Sequence, residues 1–188
     1  MVKLLFDDDD DDYLKLGSLC LKFSSDKPKI NAVKFIADHQ LINESLNLHF
    51  DPLPEDFKQY SEYLFKILTT GGFRKAKVFN RSLKDDVLFY WIINHIETST
   101  DLTKMVANIV LHFDGWSDLN LSERAENLKE STENSISYEF SNIHNPKMKY
   151  DVLLYKRSDV KVDSVTIKKM WGDNVGFKDN DVKLCNII

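Results

Sequence analysis

The chain has 188 residues, 43% of them hydrophobic and 12% aromatic, which is enough apolar surface to offset the ordering entropy of one compact fold and excludes a disordered polypeptide. No stretch approaches the roughly 18 to 20 apolar residues of a membrane-spanning helix, so no membrane span is expected. The net charge is −5, but six of the 30 acids form a single run, and the other 24 nearly balance the 25 Lys and Arg, so the acidity is local.

Val2–Phe6 and Tyr13–Phe23 both read as strands, the second with a bulge expected at Gly17–Ser18. The aspartates between them would form the exposed tip of a long hairpin. Ile30, Val33, Phe35, Ile36 and Ala37 recur as one face of a short helix. Ser45–Phe50 alternates, with Leu46, Leu48 and Phe50 on one side, and is stopped by the prolines of DPLP. From Glu55 to Thr70 the set Phe57, Tyr60, Leu64, Ile67 and Leu68 has helical spacing, and Gly71–Gly72 supplies the stop.

Phe73 to Asn80 reads as a strand bearing Arg74, Lys75 and Lys77. Ser82 then caps VLFYWIINHI, a helix apolar nearly all round and therefore central. Thr100–Asp101 starts a further expected helix with Leu102, Met105, Val106, Ile109, Val110 and Phe113 in phase, ending at Asp114–Gly115. A polar helix is expected from about Ser117 to Ser131. After Asn134 the period changes to two: ISYEF and YDVLLYKR form a hairpin, DVKV is a short strand, and SVTIKKMW fits either a strand or a short helix. VGF and DVKLCNII finish the chain. The expected fold class is α+β, a single compact domain over 1–188 with mid-chain helices packed on a mostly antiparallel sheet formed by N- and C-terminal strands.

Asp7, Asp8, Asp9, Asp10, Asp11 and Asp12 invite a calcium reading, which fails. An EF loop needs glycine at its sixth place and glutamate at its twelfth; counted from Asp7 these are Asp12 and Ser18, and from Asp8 they are Tyr13 and Leu19. No metal and no cofactor is expected. The run is better suited to a partner: neighbouring carboxylates repel by less than about 1 kcal/mol each in water, and a basic surface relieves that repulsion.

None of the five histidines belongs to an HExxH motif. His95 and His112, each expected near the end of a mid-chain helix with Glu97 and Asp114 close by, are the catalytic candidates, though a histidine there also serves the helix dipole. Gly71–Gly72 follows a helix, where phosphate loops precede one. Lys147, Lys149, Lys156, Arg157, Lys161, Lys168 and Lys169, with Tyr150, Tyr155 and Trp171 among them, suggest a nucleic-acid surface, but intervening aspartates dilute it. Two cysteines, Cys20 and Cys185, make neither a disulfide framework nor a zinc site, which fits a reducing, cytoplasmic setting. Cys185-Asn186-Ile187-Ile188 formally matches a prenylation box, without the polybasic stretch that would strengthen it.

The expected function is a small protein-binding, inhibitory module of immunity-protein, antitoxin or phage-inhibitor type. It would mask a partner protein with a basic surface, through Asp7–Asp12. The alternative is a hydrolase or nucleotide-handling enzyme with a scattered His/carboxylate site.

Overall fold

The alternation at Leu46, Leu48 and Phe50 recurs in three neighbouring strands and builds one half of a sheet. The computed structural model describes residues 16–23, 30–39, 42–50, 57–80, 87–117, 119, 121–158 and 161–170. The chain runs through β1 (Leu16–Phe23), α1 (Ile30–His39), β2 (Ile42–Phe50), α2 (Phe57–Thr70), β3 (Lys75–Asn80), α3 (Val87–Thr98) and β4 (Asn108–Ser117). These four strands lie side by side in chain order and parallel. Crossovers between parallel strands are right-handed in nearly all proteins, and a series that steps in one direction delivers its helices to one face; here α1 packs on α2 and α2 on α3.

The second half is an antiparallel meander of β5 (Leu128–Ser131), β6 (Ser135–Ser141), β7 (Lys149–Ser158) and β8 (Lys161–Met170). β8 closes against β4, giving one eight-stranded sheet in the order β1-β2-β3-β4-β8-β7-β6-β5. Among the described residues four of the seven pairings are antiparallel and three helices pack on the sheet, so the fold is one α+β domain with a mostly antiparallel sheet, as expected. Among the described residues, no helix is long and apolar enough to cross a membrane.

The helix-covered face is largely apolar from β1 to β6, with Lys169 of β8 as its buried charged exception. Leu19, Leu46, Leu48, Phe50, Ala76, Val78, Ile109 and Leu111 meet Tyr60, Leu64, Leu68, Phe89, Ile92 and Ile96 from the helices. α3 buries Leu88, Phe89, Ile92, Ile93 and Ile96 but leaves Tyr90 and Asn94 exposed, and α2, which packs on both α1 and α3, is the middle helix of the layer, so the expected all-round burial of α3 is not met. The stop after α2 is as expected: the Gly71 amide donates to the Ile67 carbonyl at 2.9 Å, and Gly72 takes φ +70°, where a Cβ would be strained. The buried Asn142 ties the end of α3 to the β6–β7 turn. Its Nδ2 donates to the Ile96 and Ser99 carbonyls, both at 2.8 Å, and its Oδ1 accepts from the His144 and Asn145 amides.

Three further expectations are corrected. Thr100–Phe113 is a turn followed by β4, not a helix. Asp101 Oδ1 accepts from the Thr103 amide at 2.8 Å, and the Val106 amide donates to Leu68 rather than within its own segment. Leu102, Met105 and Val106 are buried as loop residues, and from Asn108 the alternation of Ile109 and Leu111 against Val110 and His112 takes over. Ser117–Ser131 is not a polar helix either. Leu119 and Leu121 anchor a 3₁₀ turn, Ser122–Asn127, broken at Arg124, and the chain then becomes the short exposed edge strand β5. The described parts of DVKV and SVTIKKMW, Lys161–Val162 and Ser164–Met170, belong to the single strand β8. Val2–Phe6, Asp7–Asp12, the Ser82 cap, Trp171 and the Cys185 tail lie outside the described residues.

Candidate functional site

Because side chains alternate along a strand, the residues between the buried ones form the opposite face of the sheet, which no described helix covers. On β2 these are Ser45, Asn47 and His49; on β3, Lys75, Lys77 and Phe79; on β4, Asn108, Val110 and His112. The parallel register aligns them in rows. His49, Phe79 and His112 share one, Asn47, Lys77 and Val110 the next, and Ser45, Lys75 and Asn108 the third. The rows continue through Ser164, Thr166 and Lys168 of β8, then Tyr155, Leu153 and Asp151 of β7.

A strand spacing of about 4.8 Å is close to a ring-stacking distance, so rings in one row of parallel strands stack. The His49 and Phe79 centroids lie 4.1 Å apart at 12°, and those of Phe79 and His112 lie 4.3 Å apart at 4°. Both faces of Phe79 are therefore occupied by imidazoles. The pKa of His112 is lowered, first by burial, then by Lys77 and His49, while Asp163 opposes the shift.

Charge divides this face in two. In the antiparallel half, Lys129 pairs with Asp151 at 2.8 Å and Lys149 with Glu139 at 2.6 Å. Lys75 and Lys77 on the parallel strand β3, and Lys168 on β8 beside β4, have no ion-pair partner among the described residues, and Lys168 is exposed. The basic patch read from the sequence is thus split by the sheet. Lys168 is on the open face, whereas Lys169, directed to the covered face, is buried with its Nζ 3.3 Å from the Leu102 carbonyl, and burial lowers its pKa. Tyr150 is fully buried on the same side, and its hydroxyl has no partner among the described residues.

The sheet separates the candidates on α3, His95 and Glu97, from His112 on β4. His95 sits in the last turn of α3, on the helix layer, edge-on to Phe65 at 5.5 Å. Burial lowers its pKa, with Asp101 opposing, and its Nε2 has no partner among the described residues. His112 is a strand residue on the far side of the sheet. Glu97 is engaged by Arg124 in an ion pair, and Arg124 also lies over the Phe140 ring at 5.8 Å. Asp114 belongs to β4, its side chain outside the description. A cavity of about 350 Å³ between α2 and α3 is lined by Glu62, Phe65, Trp91 and Asn94, which pair no nucleophile with a base. Among the described residues, no group of His, Cys, Asp and Glu could hold a metal ion.

Sequence reading missed the His49–Phe79–His112 ladder. Its signal was available, since each ring occupies an outward position in an alternating segment, but the strand order that joins them was not. In comparison with known proteins, no family model matches the chain, nor does any curated protein or solved structure.

Proposed function

We propose that the protein is a binding module that masks another protein, of the immunity-protein, antitoxin or phage-inhibitor type, and that it docks through the open face of its sheet. The observation that carries this reading is the sheet itself, which among the described residues has eight strands, helices on one face, and on the other a ring ladder, lysines without an ion-pair partner and the exposed Tyr155. Seven strand spacings by three rows make that face roughly 34 Å by 20 Å, or roughly 700 Å², close to the roughly 800 Å² each partner contributes to a standard protein interface. A small-molecule enzyme instead concentrates polar groups in a concavity. Asp7–Asp12 is proposed as a second contact, to a basic patch on the partner.

The test is affinity capture on immobilised full-length protein at low and high salt. Wild type is compared with Val110→Arg/Leu153→Arg on the open face, with Asn94→Arg on the helix layer, and with Asp7–Asp12→Ser. The expected outcome is a partner retained by wild type and by Asn94→Arg, lost from the open-face variant, and held with a weaker salt dependence by the aspartate variant. Identical partners on all four proteins would sink the docking assignment. Hydrolysis of simple esters or nucleotides that disappears in His95→Ala or His112→Ala would install the enzyme reading in its place.

A further inference from the structure

We infer that the segment docked on the open face is a carboxylate-rich, extended stretch of a partner protein, held by Lys75, Lys77 and Lys168 beside the ring ladder; this rests on reading that face as a protein-docking surface. Lys75 and Lys77 are two residues apart on β3, so their stems rise roughly 7 Å apart on the same face. Lys168 is in register with Asn108, itself in register with Lys75, which places it roughly 10 Å across the sheet, two strand spacings away. The screening length at physiological salt is about 8 Å, so the three ammonium fields overlap and repel one another. None of the three has an acidic partner among the described residues. Acids at alternate positions of an extended chain recur at the Lys75–Lys77 interval, and binding them removes the repulsion.

Two features favour polypeptide over nucleic acid, the other polyanion. Base recognition on a sheet uses exposed ring faces as platforms, and here both faces of Phe79 are covered by His49 and His112. The basic stretch is also short: past Lys168 its row runs into Asp151 and Glu139, already neutralised by Lys129 and Lys149, so no continuous basic track is offered to a phosphate backbone. Beyond them, row by row, lie Leu153 and the exposed Tyr155, which suit apolar side chains following the acids.

The experiment titrates a dye-labelled peptide of alternating Glu and Val, ten residues long, into the full chain and follows fluorescence anisotropy. A Lys–Val peptide of equal length and a ten-nucleotide oligothymidylate are the comparison probes. The expected result is that wild type binds the acidic peptide in preference to both, that added salt weakens it, and that Lys77→Glu/Lys168→Glu weakens it at least about tenfold. Lys34→Glu, a charge reversal on an exposed position of α1 in the helix layer, is expected to leave it within about twofold. Circular dichroism and urea midpoints confirm that both variants fold. Equal losses in the two variants overturn the inference, as does preference for the oligonucleotide. At least tenfold tighter peptide binding by Asp7–Asp12→Ser overturns it too, by making the chain's own aspartates the occupant. If the acidic peptide fails to bind while Val110→Arg/Leu153→Arg still abolishes partner capture, the docking face stands and its acidic occupant falls.

Discussion

The covered and open faces of the sheet are built from the same strands by alternate residues, yet they are organised on different principles. On the covered face, hydrophobicity is continuous through Leu46, Val78, Leu111, Val165, Val152 and Phe140, and the change from parallel to antiparallel pairing leaves no mark on it. On the open face a boundary falls one strand further on, between β8 and β7: matched Lys129–Asp151 and Lys149–Glu139 pairs lie on one side of it, and on the other lie stacked rings and lysines with no ion-pair partner among the described residues. The difference separates two tasks. Burial against helices supplies stability and tolerates no unpaired charge, whereas a surface left in water can hold charge in excess, available to a partner.

The largest expected effect tests this division with one residue type on both faces. Phe50, 1% exposed and edge-on to Tyr60 at 5.7 Å, should cost about 3–5 kcal/mol when replaced by Ala. Phe79→Ala removes two stacking contacts of about 0.5–1.5 kcal/mol each from a partly buried ring and should cost about 1–3 kcal/mol. Urea denaturation at constant m-value reads both. Similar losses would mean that the ladder belongs to the core. Next in size is Asn142→Ala, expected to cost about 1–3 kcal/mol because it strips the Ile96 and Ser99 carbonyls of their donor at the buried end of α3. A loss below about 0.5 kcal/mol would show that water replaces the amide and that the tie between the helix layer and the β6–β7 turn is slack.

A third effect is pH dependence, and it involves both faces. His95 under the helix layer and His112 on the open face both have pKa values lowered by burial, each opposed by one carboxylate, Asp101 and Asp163 respectively. Their folded-state pKa values lie below the unfolded value of about 6.5, so the unfolded chain takes up the protons first. The stability linked to these groups is present above pH 6.5 and is lost as pH falls through the lowered values. His95→Phe/His112→Phe should flatten the stability profile between pH 7 and pH 5, with His112→Phe keeping a ring in the ladder. An unchanged slope in urea titrations across that window would move the proton uptake to other groups.

Much of the covered face was legible because single elements announce it: the alternation in β2 and β3, the helical spacing and glycine stop of α2, the apolar run of α3, and the β6–β7 hairpin. β4 was misread for a physical reason. Val106, Ile109, Val110 and Phe113 satisfy a period of 3.6, and the signal that decides against a helix is tertiary, namely the Val106 amide bonded to Leu68 and the edge of β3 waiting for a parallel neighbour. That misreading propagated to the candidate site, because it placed His112 on a helix like His95 when the sheet in fact lies between them. The ladder was illegible for a related reason. His49, Phe79 and His112 each occupy an outward place in their own strand, and only strand order and register turn three separate rings into a stack.

The smallest expected effect sharpens the boundary on the open face. The Lys149–Glu139 pair is short, but both side chains keep substantial exposure, 45% and 30%, so a double-mutant cycle with Ala should return only about 0.2–1 kcal/mol of coupling. Lys77→Ala and Lys168→Ala, which remove like-charge repulsion and no described ion pair, should stay within about 0.5 kcal/mol of wild type. Matched and unmatched halves would then be nearly equal in stability and differ only in what they offer a partner, as a division between stabilising and recognising faces requires. A coupling well above 1 kcal/mol would instead make the antiparallel half a stabilising element on the open side, and the docking surface would contract to the rows of β2, β3, β4 and β8.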